Sequence, residues 1–332
     1  MVNFVIIGAG DIARKRHIPG IMKAEHGRLF GFYNRNMERT GRLAEQYQVK
    51  CYESPEEIWA DPSVDAVLIS TPPASHEELA VRALEAGKHV LLEKPMTLRA
   101  EEAEQILEAS RRSEAKLMML HVQRFYGPHR KAKELLERGE IGRLLSCRTF
   151  LGNGNVHRAE NLPPSWQDTL FDVGIHRIDL LRYLVGAEAK QVFCHRSSLL
   201  GLRGSGEETL AEDHMIGVFR YKNGVVGTLI SSRCSYGGED RSTELFGTEG
   251  RMTTYRDGHG LILEKKDGQK AFYDFPDGLD QKELELTDIH EQFCLCVEEG
   301  TMPPVTAADG VESVRLAAAL ERSDREGKWV EL

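Results

Sequence analysis

The chain opens with Val2-Asn3-Phe4-Val5-Ile6-Ile7, followed by Gly8-Ala9-Gly10-Asp11-Ile12-Ala13. Val2 to Ile7 is an apolar run with β-branched residues, the pattern of a strand buried in a parallel sheet, and the residues from Ile12 onward read as helix. Gly8 and Gly10 then sit at the turn between strand and helix. A side chain at the first would strain the turn, one at the second would hold the backbone away from a pyrophosphate, and a small Ala13 lets helix and strand pack closely. Free amides and the dipole at the helix N-terminus favour an anion there. Gly8, Gly10, Asp11, Ile12 and Ala13 are therefore candidate dinucleotide-binding residues. Glycine turns are common, so the flanking strand and helix carry the argument.

Downstream, short apolar runs alternate with helical stretches up to residue 121. Strands are expected at Leu29 to Tyr33, Val49 to Tyr52, Ala66 to Ser70, Val90 to Leu92 and Leu117 to Leu120, with helices at Met37 to Tyr47, His76 to Ala86 and Ala100 to Ser113. This alternation predicts an α/β fold whose first part is a doubly wound parallel sheet covered by helices on both faces. Ligands on such sheets bind outside the carboxyl ends of the strands. From residue 122 the texture changes. A helix at Arg130 to Arg138, a strand at Leu144 to Phe150 and a helix carrying Asp172 and His176 precede candidate strands at 191–197, 214–221, 225–232, 242–247, 251–255, 261–265 and 270–274. Turns such as Lys222-Asn223-Gly224 and Asp267-Gly268 suggest a largely antiparallel second sheet, and helices at about 286–299 and 310–325 follow. Two domains are expected, a dinucleotide-binding one at 1–121 and a second at 122–332.

A chain of 332 residues with 41% hydrophobic and 29% charged residues is that of a globular protein with room for a sizeable core. Its formal net charge of −9 argues against a general nucleic-acid partner. The six cysteines form no Cys-x-x-Cys pair and no zinc-ligand spacing, so reduced thiols and no metal are expected. With neither a leader pattern nor a membrane-length apolar run, the expectation is a cytoplasmic protein without a membrane partner.

Three further signals fall where ligands should bind. The segment Phe32-Tyr33-Asn34-Arg35-Asn36 ends the second strand, where NAD-binding units usually carry an acid for the ribose hydroxyls. Asn34 would not repel a 2′-phosphate and Arg35 could pair with one, which slightly favours NADP over NAD; a solvated arginine at a helix start is the alternative. Thr71-Pro72 with His76, and Glu93-Lys94-Pro95, each follow an apolar strand. Lys94, between an acid and a proline, has the placement to hold a substrate hydroxyl and relay its proton. Asp172 and His176 are spaced to share one helix face, with Asp179 further along. A carboxylate that orients a histidine and favours its charged form suits a base taking a hydroxyl proton; a metal half-site or a capping acid beside a packed histidine would show the same spacing.

Taken together, Gly8-x-Gly10-x-x-Ala13, Thr71-Pro72 with His76, Ala86-Gly87-Lys88-His89-Val90 running into Glu93-Lys94-Pro95, Gln123-Arg124-Phe125, Asp172-x-Gly174-x-His176-x-x-Asp179 and Phe246-Gly247-Thr248-Glu249-Gly250 resemble the Gfo/Idh/MocA oxidoreductases. That family includes glucose-fructose oxidoreductases and inositol dehydrogenases. The resemblance spans nearly the whole chain. It implies a Rossmann domain followed by an α/β domain with an open, mostly antiparallel sheet that forms subunit contacts, hence a homodimer or homotetramer. It also implies Lys94 and His176 as proton-handling residues supported by Asp172, and Gly8, Gly10, Ala13, Thr71, Pro72, His76, Glu93 and Arg124 along an NAD(P) cofactor. Sugars, polyols or their derivatives are the implied substrates, with His157, Arg158, Trp166 and Tyr236 as candidate substrate contacts. Hydride transfer between nicotinamide and a carbinol carbon is the leading reading. An NAD-dependent glycosidase or lyase using transient oxidation is a second, and a non-catalytic nucleotide- and sugar-binding regulator a third.

Overall fold

The computed structural model describes residues 1–152, 169–200, 212–235, 239–255, 257, 259–275 and 281–332, with 281–285 as backbone only. The candidate substrate contacts His157, Arg158, Trp166 and Tyr236 lie outside the described residues. Two compact units result. The first comprises Met1–Val122 with Leu279–Val314, and the second Gln123–Gly278 with Arg315–Leu332. The first break falls between Val122 and Gln123, and residues 279–314 return to the first unit. The helix Gln281–Glu299 packs there against the helix Ile18–Lys23 and the first strand.

In the first unit, β1 (Val2–Ile7), β2 (Gly27–Tyr33), β3 (Lys50–Cys51), β4 (Ala66–Ile69), β5 (His89–Leu92) and β6 (Leu117–Met119) form a six-stranded sheet in the order β3-β2-β1-β4-β5-β6. Every pairing is parallel. The central strands are apolar on both faces because helices cover both, and Phe4, Val5, Ile6, Ile7 and Ala66 to Ile69 are fully buried. Strand order reverses between β1 and β4, which makes their carboxyl ends the switch point where a ligand crevice opens. The short helix Pro55–Ala60, absent from the periodic pattern, is capped by Ser54, whose Oγ accepts the Glu57 N–H.

The second unit is built on a nine-stranded sheet ordered β14-β13-β12-β11-β7-β10-β9-β8-β15. Its strands are β7 (Leu144–Gly152), β8 (Ala189–Ser197), β9 (His214–Tyr221), β10 (Val226–Ser232), β11 (Thr243–Gly247), β12 (Gly250–Thr254), β13 (Gly260–Lys265), β14 (Lys270–Asp274) and β15 (Val330–Glu331). All pairs are antiparallel except β7 with β10. The helix expected from Arg130 starts earlier, at Gly127, because Pro128 suits a first helical turn. No helix among the described residues is long and apolar enough to cross a membrane, and the six cysteines are free.

Candidate active site

Strands β1, β4 and β5 end level with one another, Ile7 opposite Ile69 and Ile69 opposite Leu92. The ladder continues one residue past those ends. Ser70 N–H donates to Ile7 O at 2.9 Å and Glu93 N–H to Ile69 O at 3.0 Å. Backbone pairing alone therefore sets Gly8, Ser70 and Glu93 in a row along one rim, with Thr71-Pro72 and Lys94 just beyond.

Gly8 has φ +93°, and a Cβ there would stand 2.7 Å from the carbonyl carbon and oxygen of Ser70, which are backbone and cannot swing aside. Gly10 is the opposite case: a Cβ there would meet nothing within 4 Å. The backbone at Gly10 thus faces open space of the kind a pyrophosphate requires. Ala13 is fully buried. Gly8, Gly10, Asn34, Arg35, Thr71 and Pro72 all line a cavity of about 520 Å³, together with Trp59, Leu79, Glu56 and Arg82. The last four come from the helices Pro55–Ala60 and His76–Glu85, and Glu56 pairs with Arg82 at 3.0 Å. These residues fit a dinucleotide: the open backbone at Gly10 adjoins a cavity whose wall includes Trp59 and Leu79.

Other predicted cofactor residues stand elsewhere. Asp11 points outward to an ion pair with Arg14, whose hydrogen bond and charge hold its carboxyl below the ordinary range. His76 is fully buried beneath the rim, its Nε2 2.9 Å from Thr71 O and its Nδ1 3.0 Å from Pro95 O. Burial pushes its pKa down, so the neutral ring donates to only one of these carbonyls. It braces the two rim segments from below. Ser75 Oγ secures the same turn by donating to Pro72 O at 2.9 Å.

Glu93 is nearly enclosed, and both its oxygens are engaged. Oε1 lies 2.9 Å from His17 Nε2, and Oε2 accepts the Lys94 N–H at 3.0 Å. Burial alone would raise its pKa, but the His17 contact and the Lys94 charge outweigh that, and its carboxyl is held below the ordinary range. Lys94 is half-buried.

In the second unit, Asp172 lies in the π-helical turn Leu170–Gly174, and His176 is the second residue of the helix Ile175–Val185; both are half-buried. Asp172 Oδ2 accepts from Arg233 Nη2 at 3.0 Å. Arg233 follows β10, is itself buried and donates its backbone N–H to Asp213 O at 2.7 Å. Arg124, expected along the cofactor, is buried and bound in a fork to Asp179, Nε to Oδ2 at 2.8 Å and Nη2 to Oδ1 at 2.5 Å. Its guanidinium also lies 5.2 Å from the Tyr183 ring. This pair ties the turn Val122–Phe125 to the helix that carries His176. His17, His290 and Arg233 escaped the sequence reading, because each gains its meaning from a partner distant along the chain.

Residues 2–121 match the family described as an oxidoreductase family with an NAD-binding Rossmann fold, and residues 129–253 match the GFO/IDH/MocA C-terminal domain. The chain belongs to the Gfo/Idh/MocA family. Among its relatives, scyllo-inositol 2-dehydrogenase (NAD(+)) of Bacillus subtilis is 31% identical over 292 residues, covering 85% of this chain and 82% of the relative. Myo-inositol 2-dehydrogenase of Thermotoga maritima is 27% identical over 342 residues, 98% of this chain and 97% of that one. A solved levoglucosan dehydrogenase, in complex with NADH and levoglucosan, superposes with a TM-score of 0.87 at 25% identity, covering 99% of both chains. The Gfo/Idh/MocA architecture accounts for the parallel first sheet and the mostly antiparallel second one.

Proposed function

We propose that this protein is an NAD(P)-dependent dehydrogenase or reductase acting on a carbinol or carbonyl carbon of a sugar, polyol or derivative. The observation that carries the reading is the rim itself: an open glycine turn and a cavity at the β1/β4 switch point, with Lys94 on the adjoining strand end. The names of the inositol and levoglucosan dehydrogenases support the substrate class.

Bound at this rim, the dinucleotide supplies the hydride acceptor or donor. The Gly8–Gly10 backbone and the following helix start receive its pyrophosphate. Asn34 would put no carboxylate opposite the ribose, and exposed Arg35 beside it favours acceptance of a 2′-phosphate, whereas the related scyllo-inositol 2-dehydrogenase is named for NAD(+) and the levoglucosan dehydrogenase structure holds NADH. Lys94 and His176 hold and move the hydroxyl proton, with Asp172, anchored by Arg233, supporting His176. The first unit binds the dinucleotide, and the second supplies substrate and subunit contacts. Exposed Ile216 and Val226 on neighbouring strands support a homodimer or homotetramer through that sheet, and free thiols suit the cytoplasm.

The test is titration with NAD(H) and NADP(H), followed by absorbance at the reduced-nicotinamide band against inositols, aldoses and anhydrosugars. Redox turnover of one panel member supports the proposal. Dinucleotide binding with no absorbance change, alongside net cleavage of a glycoside, overturns it in favour of transient oxidation.

A further inference from the structure

The glycine turn leads into a π-helical stretch, Ala13–His17, that ends on a histidine buried completely inside the first unit. His17 touches two other titratable groups. Its Nε2 is 2.9 Å from Glu93 Oε1, and its Nδ1 is 3.3 Å from Nε2 of His290, also fully buried, on the helix Gln281–Glu299. The two rings meet edge to face, centroids 5.3 Å apart. His290 Nδ1 in turn donates to Leu286 O, one helical turn back. An unbroken series therefore runs from a helix carbonyl through two imidazoles to the carboxylate that accepts the Lys94 N–H.

Proton accounting fixes its direction. Leu286 O can only accept, so His290 carries its proton on Nδ1. Burial, then the neighbouring His17, push the His290 pKa down to about 3, so the ring is neutral and its Nε2 must accept. His17 therefore donates from Nδ1, and one further proton lies between His17 Nε2 and Glu93. Against its burial, the His17 contact and the Lys94 charge hold the Glu93 carboxyl below its ordinary range, so Glu93 is the accepting end of the series. The charged and titratable groups around Glu93 are His17, Lys94, His76 and, through His17, His290. Packing leaves the series little freedom. A Cβ on Gly20 would stand 2.7 Å from His290 Nδ1, and Phe4 and Phe293 are fully buried in the same layer.

We propose that His17 and His290 are positioning residues for Lys94: they hold Glu93 as a carboxylate at one place, so that its second oxygen fixes the Lys94 backbone and the point from which the ammonium reaches the substrate. This rests on the reading of Lys94 as a proton-handling residue. Neither histidine touches the cavity beside the glycine turn, so their loss should spare dinucleotide binding and act on turnover.

The experiment compares Lys94→Ala, His17→Leu and His17→Gln for kcat, KM, dinucleotide affinity, thermal midpoint and pH profile. Lys94→Ala separates the two claims, since full turnover in that variant overturns the reading of Lys94 itself. With Lys94 shown to be required, His17→Leu is expected to lower kcat on the order of 10- to 100-fold, as displacement of a reacting group does, with dinucleotide affinity kept. Glu93 loses its support in that variant, so its pKa rises and the acid limb of the kcat profile moves to higher pH. His17→Gln, whose amide N–H still reaches toward Glu93, is expected to recover part of the loss. A folded His17→Leu protein with unchanged kcat and pH profile overturns the inference. So do losses in the Leu and Gln variants that merely follow their thermal midpoints. Should His17→Leu not fold, Gly20→Ala pushes His290 aside with both imidazoles present and is read by the same two outcomes.

Discussion

Replacing His129 by glutamine would measure how strongly the second unit depends on a neutral imidazole. His129 is 3% exposed, lies 2.8 Å through Nδ1 from Gln123 O and stacks on Tyr126 at 5.8 Å between centroids. Burial, then the charge of fully buried Arg177, push its pKa down to about 3. In the unfolded chain the same group titrates near 6.5, so below that pH the unfolded state takes up a proton that the native state refuses. The contribution is complete above roughly pH 6.5 and falls as pH drops toward the folded value of about 3. One proton corresponds to about 1.4 kcal/mol per pH unit, so this residue alone should remove about 2 kcal/mol between pH 7 and pH 5. Urea unfolding at both pH values tests this. The glutamine amide can still donate to the Gln123 carbonyl but cannot titrate, so the variant should lose about 2 kcal/mol less than the unsubstituted protein over that interval. Equal losses in the two proteins would refute the reasoning, because no other group differs between them.

Gly8→Ala places a Cβ against the Ser70 carbonyl at a φ of +93°; the backbone conformation alone costs roughly 1–2 kcal/mol, and a fluorescence titration should show weakened NAD(P)H binding. Unchanged affinity would remove the turn from the cofactor site. Asp179→Ala takes from buried Arg124 its forked carboxylate and should cost about 3–5 kcal/mol, read as a lower urea midpoint. A midpoint equal to that of the unsubstituted protein would mean that the pair adds nothing. Arg35→Ala should weaken NADP far more than NAD in parallel titrations, since only NADP presents the extra phosphate; equal losses would discount Arg35. His176→Ala should lower turnover by a factor on the order of 10² to 10⁴ with dinucleotide affinity kept, and a collapse of that affinity instead would make the residue structural.

What could be read along the chain is what local physics writes there. The glycine turn, the apolar runs and the strand ends at Ser70 and Glu93 are signals a few residues long, and most strands of both sheets follow from them. The helix Pro55–Ala60 spans too few residues for a period, although Ser54 and Pro55 mark its start and it brings Trp59 to the cavity wall. The parallel β7–β10 pairing joins strands separated by two others and has no turn to announce it. Side-chain partners were harder still. Arg233 lies 61 residues beyond Asp172, and His290 lies 273 residues beyond His17. Spacing rules describe a helix face or a strand face, and they have no reach across such intervals. Arg124 and Asp179 were both visible as motif residues, but only the fold reveals that they satisfy each other.

The return of Leu279–Val314 to the first unit has a consequence for biosynthesis. A ribosome releases the six parallel strands long before it makes the helix Gln281–Glu299, so the nascent sheet stays uncovered over Phe4 and beside Gly20 while more than half of the chain is still to come. Folding of the nucleotide unit is then timed by the far end of the message. A fragment stopped at residue 122 should behave as a client of chaperones rather than as a free-standing domain.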